Sequence, residues 1–196
     1  MRVFVLTTGR SGSVTFAKAC GHIANFSAAH ESRADLLGEE RFDYPDDHVE
    51  VDNRLSWFLG QLATRFPDAR YAHLVRDPDA VARSFVARWP RSTGLVERAR
   101  LLRGHGLPGG NLMAAFANGI VKRQPAWPEA ERFAASRFMV DSIEANIREF
   151  LRDRAHVTVS LESAQDDFRR FWEWIGAAGD LNAALGEWTI RHNATR

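Results

Sequence analysis

The residues of this chain best suited to chemistry are Gly9, Arg10, Ser11, Gly12 and Ser13, a small, polar and cationic run just before the apolar repeat that opens at Val14. The two glycines let a ligand approach the backbone closely. The serines add hydroxyl donors, and Arg10 adds a permanent cation able to fork two oxygens of an anion. A helix opening at Val14 would aim its unpaired N–H groups and the positive end of its dipole into the same loop, which suits a phosphate or another tetrahedral anion.

Two other places carry reactive side chains. His30 and Glu31 stand side by side, and either can take a proton from a hydroxyl or an amine. Arg76-Asp77-Pro78 brings a second fixed cation. The loop is no Walker A element, because only Arg10 and Ser11 separate Gly9 from Gly12 and no lysine follows. Lys18 lies six residues past Gly12, about 9 Å along a helix. The seven histidines form no pair at helical metal spacing and Cys20 is the single thiol, so no metal site is expected.

The elements that must position these groups follow from periodicity. Val3–Leu6 is an apolar, largely β-branched or aromatic run, as in a strand covered on both faces. Phe16, Ala19, Cys20 and Ile23 then recur at helical spacing, which places Cys20 on the buried stripe of the first helix. Residues 25–30 and 49–51 are predicted as the second and third strands, with a charged, turn-like stretch at 35–47 between them. Leu55, Phe58, Leu59, Leu62 and Phe66 predict one amphipathic helix stopped by Pro67. Residues 71–75 form the next strand, and Pro78 opens a helix capped by Asp77 with Val81, Phe85 and Trp89 inward. A long helix over 128–154, a last strand over 156–161 and a helix ended by Gly176 complete the pattern.

Strands alternating with helices predict an α/β domain with three layers, P-loop-like, around a mostly parallel sheet of about five strands. In such sheets ligands gather at the carboxyl ends of the strands. Gly9–Ser13, His30, Glu31 and Arg76 all fall there. A ligand touching both Arg76 and the loop requires that the two emerge on the same side of the sheet.

Composition bounds the function. The 196 residues predict a single domain over 1–196, and 45% hydrophobic content argues against disorder. With 26 basic against 25 acidic residues, the net charge of +1 implies no global attraction to nucleic acid or an anionic membrane. No apolar run approaches the roughly 20 residues of a membrane span. The lone cysteine fits a reducing compartment, and a first strand at residue 3 leaves no room for a signal peptide before it, so a cytoplasmic location is expected. Residues 83–103 hold six arginines against Glu97, read as a solvated face ahead of the rim of an anion site, and residues 104–110 are a candidate lid.

Thr8-Gly-Arg-Ser-Gly-Ser13 resembles the 5′-phosphosulfate loop of the sulfotransferases that use 3′-phosphoadenosine 5′-phosphosulfate (PAPS), where Lys or Arg precedes Ser-Gly-Ser/Thr. A second stretch, Phe66-Pro-Asp-Ala-Arg-Tyr-Ala-His-Leu-Val-Arg-Asp-Pro78 with Ser84 eight residues after Arg76, resembles that family's 3′-phosphate element. Ala29-His-Glu31 is similar to the His-Glu segment of its carbohydrate-type and bacterial members, with Ser32 standing where the family usually has proline. The resemblance implies PAPS as donor and no metal. It implies Gly9, Arg10, Ser11, Gly12, Ser13 and Val14 at the phosphosulfate, with Arg10 also stabilising charge during transfer, and Arg76 and Ser84 at the 3′-phosphate. Glu31, ahead of His30, is the implied general base, acting on a hydroxyl or amine of a small-molecule or saccharide acceptor. Asn53 is read as a helix N-cap in preference to a lining of the acceptor site, and Arg191-His-Asn193 as a segment able to close over the nucleotide. A divergent P-loop nucleotide kinase and a non-catalytic nucleotide-binding protein stand as alternatives. Acceptor identity and oligomeric state have no recognisable code.

Overall fold

A computed structural model of the chain describes residues 1–88, 112–122, 128–190 and 192. Trp89, the arginines from residue 91 to 103, the 104–110 segment, Arg191 and Asn193 lie outside the described residues. Five strands, β1 (Arg2–Leu6), β2 (Ser27–His30), β3 (His48–Val51), β4 (Arg70–Val75) and β5 (His156–Ser160), form one sheet in the order β2-β3-β1-β4-β5. All four pairings are parallel, so every strand delivers its following loop to the same rim. The helices, in chain order, are α1 (Ser13–Cys20), α2 (Leu59–Arg65), α3 (Pro78–Arg88), the four-residue α4 (Leu112–Ala115) running into a π-helical turn at Phe116–Ile120, α5 (Glu129–Leu151), α6 (Ala164–Ile175) and α7 (Leu181–Glu187).

The described residues group into two compact units, those of 1–77 with 143–190 and 192, and those between 78 and 142. The first unit holds the whole sheet. Val3, Phe4, Val5 and Leu6 are fully buried, as a central strand covered on both faces must be. Alternation assigns Val3 and Val5 to one face, where Phe16 of α1, Phe168, Phe171 and Trp172 of α6 and Leu185 of α7 complete the core. Phe4 points to the other face, with its ring centroid 5.3 Å from Tyr44, 5.1 Å from Phe66 and 6.2 Å from Tyr71. Tyr71 in turn meets Phe150 at 5.1 Å. The expected three-layer α/β architecture is thus present, with the sheet parallel throughout. Among the described residues no helix is long and apolar enough to cross a membrane.

In the second unit α3 buries Val81, Ala82 and Phe85, matching the predicted stripe as far as it is described. Arg137 of α5 pairs with Asp79 at 2.5 Å, and the Ser136 hydroxyl lies 2.6 Å from the Met113 sulfur. Ser84, half-buried on α3, belongs to this unit.

Two local expectations change. The helix expected from Leu55 to Phe66 is instead a 3₁₀ turn, Asn53–Trp57, followed by α2. The Ser56 hydroxyl donates to the Thr7 carbonyl at 3.1 Å, and Phe58 adopts φ −121°, ψ 22° between the two pieces, so the tie to the end of β1 coincides with the break. The N-cap of that turn is Asp52, whose carboxylate accepts from the Arg54 N–H at 2.7 Å, and not Asn53. Helix α7, which the sequence pattern did not predict, carries Glu187, which accepts from His22 at 3.2 Å and from His192 at 2.7 Å.

Candidate anion site at the carboxyl rim of the sheet

β1 ends at Leu6, and the chain turns back into α1 through Gly9, Arg10 and Gly12 with φ of 81°, 60° and 93°. Arg10 is the one non-glycine among the three, so the loop holds a side chain in a left-handed conformation that L-residues rarely adopt. A Cβ on Gly9 would lie 2.4 Å from the Asn53 amide nitrogen, and one on Gly12 would lie 2.9 Å from Leu161. Both glycines are therefore set by conformation and by crowding together.

The loop is braced from inside. Ser11 is 1% exposed, and its hydroxyl donates to the Gly9 carbonyl at 3.2 Å and lies 3.3 Å from the Thr8 hydroxyl. The Ser13 hydroxyl lies 3.0 Å from His30 Nε2, which ties the end of β2 to the start of α1. Helix α1 has no side-chain cap and no acidic residue in its first turn. Its first N–H groups are thus available to an anion, and no carboxylate in that turn opposes one. The aromatic ring of Trp188, after α7, packs 3.6 Å from the Cβ position of Gly12 and 5.9 Å, centroid to centroid, from Phe16.

Arg76 emerges on the loop's side of the sheet. Register pairs Leu6 with His73, so β4 runs two residues beyond β1 before Arg76. From there the Arg76 guanidinium reaches back to donate to the Arg10 carbonyl at 3.0 Å. Glu162, which sequence reasoning missed, steadies this junction: one carboxylate oxygen accepts from the Asp77 N–H at 2.9 Å and the other from the Ser160 hydroxyl at 2.5 Å. Burial opposes its charge, yet the Asp77 N–H, the Ser160 hydroxyl, its own N–H and Arg76 together hold its carboxyl below the ordinary glutamate range.

Glu31 follows β2 with φ 51°. Its N–H donates to the Val51 carbonyl at 3.0 Å, extending the β2–β3 ladder by one bond. The next residue, Ser32, donates its N–H at 2.9 Å and its hydroxyl at 2.6 Å to the two oxygens of Glu50. Proline could supply neither bond, which accounts for serine here. Glu50 is fully buried and is further held by His48 at 3.1 Å. Burial opposes its charge, but His48 and the two Ser32 donors outweigh it and keep its carboxyl below the ordinary range.

The Glu31 carboxylate itself sits 2.5 Å from Arg54 Nη1. Arg54 belongs to the turn capped by Asp52, and Asp52 is fully buried and bonded at 2.5 Å to Arg41, whose other nitrogen reaches the Tyr44 hydroxyl at 2.5 Å. Burial raises the Asp52 carboxyl above its ordinary value, only partly offset by the Arg54 N–H and Arg41. Asn53, between Asp52 and Arg54, has a buried side-chain oxygen without a hydrogen-bond partner.

The first unit therefore brings Gly9–Val14, His30, Glu31 and Arg76 to one rim, while Ser84 lies on α3 in the second unit. Strand order fixes their sequence along that rim: Glu31 after β2, Asp52–Arg54 after β3, the loop after β1, Arg76 after β4 and Glu162 after β5. Asp52 and Arg54 were missed by sequence reasoning; the signal for them is an Asx turn, an Asp whose carboxylate reaches the N–H two residues on. Nothing in the local pattern marks Arg41 or Glu162. Among the described residues no group of three His, Cys, Asp or Glu side chains is placed to hold a metal ion.

No protein-family model matches the sequence, and no curated protein matches it. Among solved structures the chain is similar to the sulfotransferase domain from the curacin biosynthetic pathway, with a TM-score of 0.58 and 14% identity over 93% of this chain and 75% of that one. The likeness is one of fold, a P-loop-like α/β architecture shared with a sulfotransferase domain.

Proposed function

We propose that this protein transfers a sulfuryl group from PAPS to a hydroxyl or amine of a small-molecule or saccharide acceptor, releasing adenosine 3′,5′-bisphosphate. The observation that carries the reading is the bond from Arg76 to the Arg10 carbonyl at 3.0 Å, which supports two anion-binding junctions within reach of one doubly phosphorylated nucleotide. A fold shared with a sulfotransferase domain supports it further.

The residues present fit such a donor. An uncapped helix start, two glycines with left-handed φ and a cation at residue 10 suit its 5′ end. Gly9 to Val14 hold the phosphosulfate through backbone N–H groups, with Ser11 shaping the loop from within. Arg76 grips the 3′-phosphate. As the acceptor oxygen or nitrogen bonds to sulfur and the bridging S–O bond breaks, its electron pair passes to the 5′-phosphate. Arg10 and the loop N–H groups stabilise that growing charge, and a single well-placed donor of this kind is worth about 2.7–4 kcal/mol. Glu31 accepts the proton that the acceptor loses, while His30, bonded to Ser13, braces the loop. Asn53 lines the path between loop and base.

Calorimetry with adenosine 3′,5′-bisphosphate, ATP with magnesium, and AMP tests this. The bisphosphate is expected to bind most tightly. A preference for ATP with magnesium would instead indicate a nucleotide kinase, and binding of the bisphosphate with no turnover across broad acceptors would indicate a non-catalytic nucleotide-binding protein.

A further inference from the structure

The carboxylate of Glu31 is aimed by machinery that the proton-transfer step itself does not require. Its N–H is tied to the Val51 carbonyl, and the next residue, Ser32, is tied through its N–H and hydroxyl to buried Glu50. A glutamate side chain still has three torsions, and rotation about them would sweep its tip over several ångströms. One contact holds the tip, the ion pair of Oε2 with the buried Arg54 Nη1 at 2.5 Å, an electrostatic contact without hydrogen-bond geometry. The two side chains are 30% and 32% exposed, so the pair is partly shielded and partly open to an incoming molecule.

Arg54 is an unusual choice for a mere surface partner, because its own backbone is held so firmly. Its N–H is taken by Asp52, and Asp52 is buried and gripped by Arg41, itself only 4% exposed. A partly exposed ion pair contributes little stability on its own, about 0–1 kcal/mol. A rigid chain from buried Tyr44 through Arg41 and Asp52 to the turn that carries Arg54 therefore makes better sense as a device for geometry. Strand order adds an independent argument: β3 lies between the strand that carries Glu31 and the strand that carries the loop. Its terminal turn is thus the surface across which any acceptor would reach from base to donor.

We propose that Arg54 is the positioning residue for Glu31, binding Oε2 so that Oε1 is left facing the acceptor's proton. The proposal rests on the reading of Glu31 as general base. Arg54 touches neither donor nor acceptor in this scheme and acts through the carboxylate.

The test is a double-mutant cycle with Arg54→Gln, Arg54→Lys, Glu31→Gln and the Arg54→Gln/Glu31→Gln pair, each checked for folding by thermal melting. Misplacing a catalytic group by about 1 Å can cost up to about 100-fold, so Arg54→Gln is expected to lower kcat by roughly 10- to 100-fold. The KM for PAPS and the affinity for adenosine 3′,5′-bisphosphate should stay within about twofold, since uniform binding is untouched. Arg54→Lys, which keeps a cation, should recover most of kcat. The double variant should be no slower than Glu31→Gln alone, because residues that act as one unit are non-additive. Additive losses, or an unchanged kcat in Arg54→Gln, would overturn the proposal. If Glu31→Gln is fully active, the assignment of the base fails. A readout free of turnover stands beside these: the side-chain carboxyl ¹³C signal of Glu31 should be single and sharp in wild type and in Arg54→Lys, and shifted or broadened in Arg54→Gln. An unaltered signal in Arg54→Gln would refute the positioning role whatever the enzyme assays show.

Discussion

On the proposed reading, Arg76 is the side chain on which discrimination between nucleotides turns. A hydrogen bond to a charged group contributes about 1.5–3 kcal/mol, and about 1.4 kcal/mol is a factor of ten in affinity. Arg76→Ala is therefore expected to weaken adenosine 3′,5′-bisphosphate at least about tenfold, while 5′-AMP, lacking the 3′-phosphate, changes by less than about threefold in the same titration. Equal losses for the two would remove Arg76 from the 3′-phosphate. At this scale the sequence was readable where one residue type has few uses. Gly9, Arg10 and Gly12 announced a backbone loop, and Cys20 on an apolar stripe announced burial, which is complete and raises its thiol pKa well above the ordinary value. Glu50 and Arg41 were not readable, since a charged residue on a short strand or turn looks solvated until its partners arrive from elsewhere. Ser32 and His48 face Glu50, and Asp52 and Tyr44 face Arg41.

Among the elements, the loop between β1 and α1 has little freedom to vary. Gly9→Ala combines a φ of 81° with a Cβ 2.4 Å from Asn53. Backbone strain of this kind costs about 1–3 kcal/mol. Displacement of Asn53 would add to that figure, so a midpoint shift in urea at least that large is expected, together with weaker bisphosphate binding. A neutral substitution would mean the loop relaxes easily and is not preorganised. Strand β1 and the helices α1 and α6 were legible because burial on both faces of a central strand leaves an unbroken apolar run and the helices carry clean apolar stripes. The stretch from Asn53 to Arg65 was not, because its apolar spacing fits one helix equally well. What divides it is the hydroxyl of Ser56 bonding to Thr7, a contact 49 residues away in sequence.

For the whole molecule, the hydrogen-bonded carboxylates set the response to acid. Glu50 and Glu162 hold their protons less tightly when folded than at the ordinary glutamate value of 4.5. A carboxyl lowered by folding contributes stability that is present above its unfolded value and lost as pH falls through the folded one. Asp52, raised by burial, acts with the opposite sign and so softens the loss. Wild type should lose stability progressively as pH falls below about 4.5 in urea titrations. Glu50→Gln should be less stable than wild type at neutral pH, with the gap narrowing on acidification. A gap that stays constant would show that the charge of Glu50 contributes nothing.

The order of strands along the rim also constrains the kinetics. The proposed base stands two strands to one side of the loop and Arg76 one strand to the other, so both reactants lie end to end and must be aboard together. In this scheme no side chain ferries the sulfuryl group as a covalent adduct, and initial-velocity plots should give intersecting lines, the mark of a ternary complex, where parallel lines would reveal a two-stage relay through the protein.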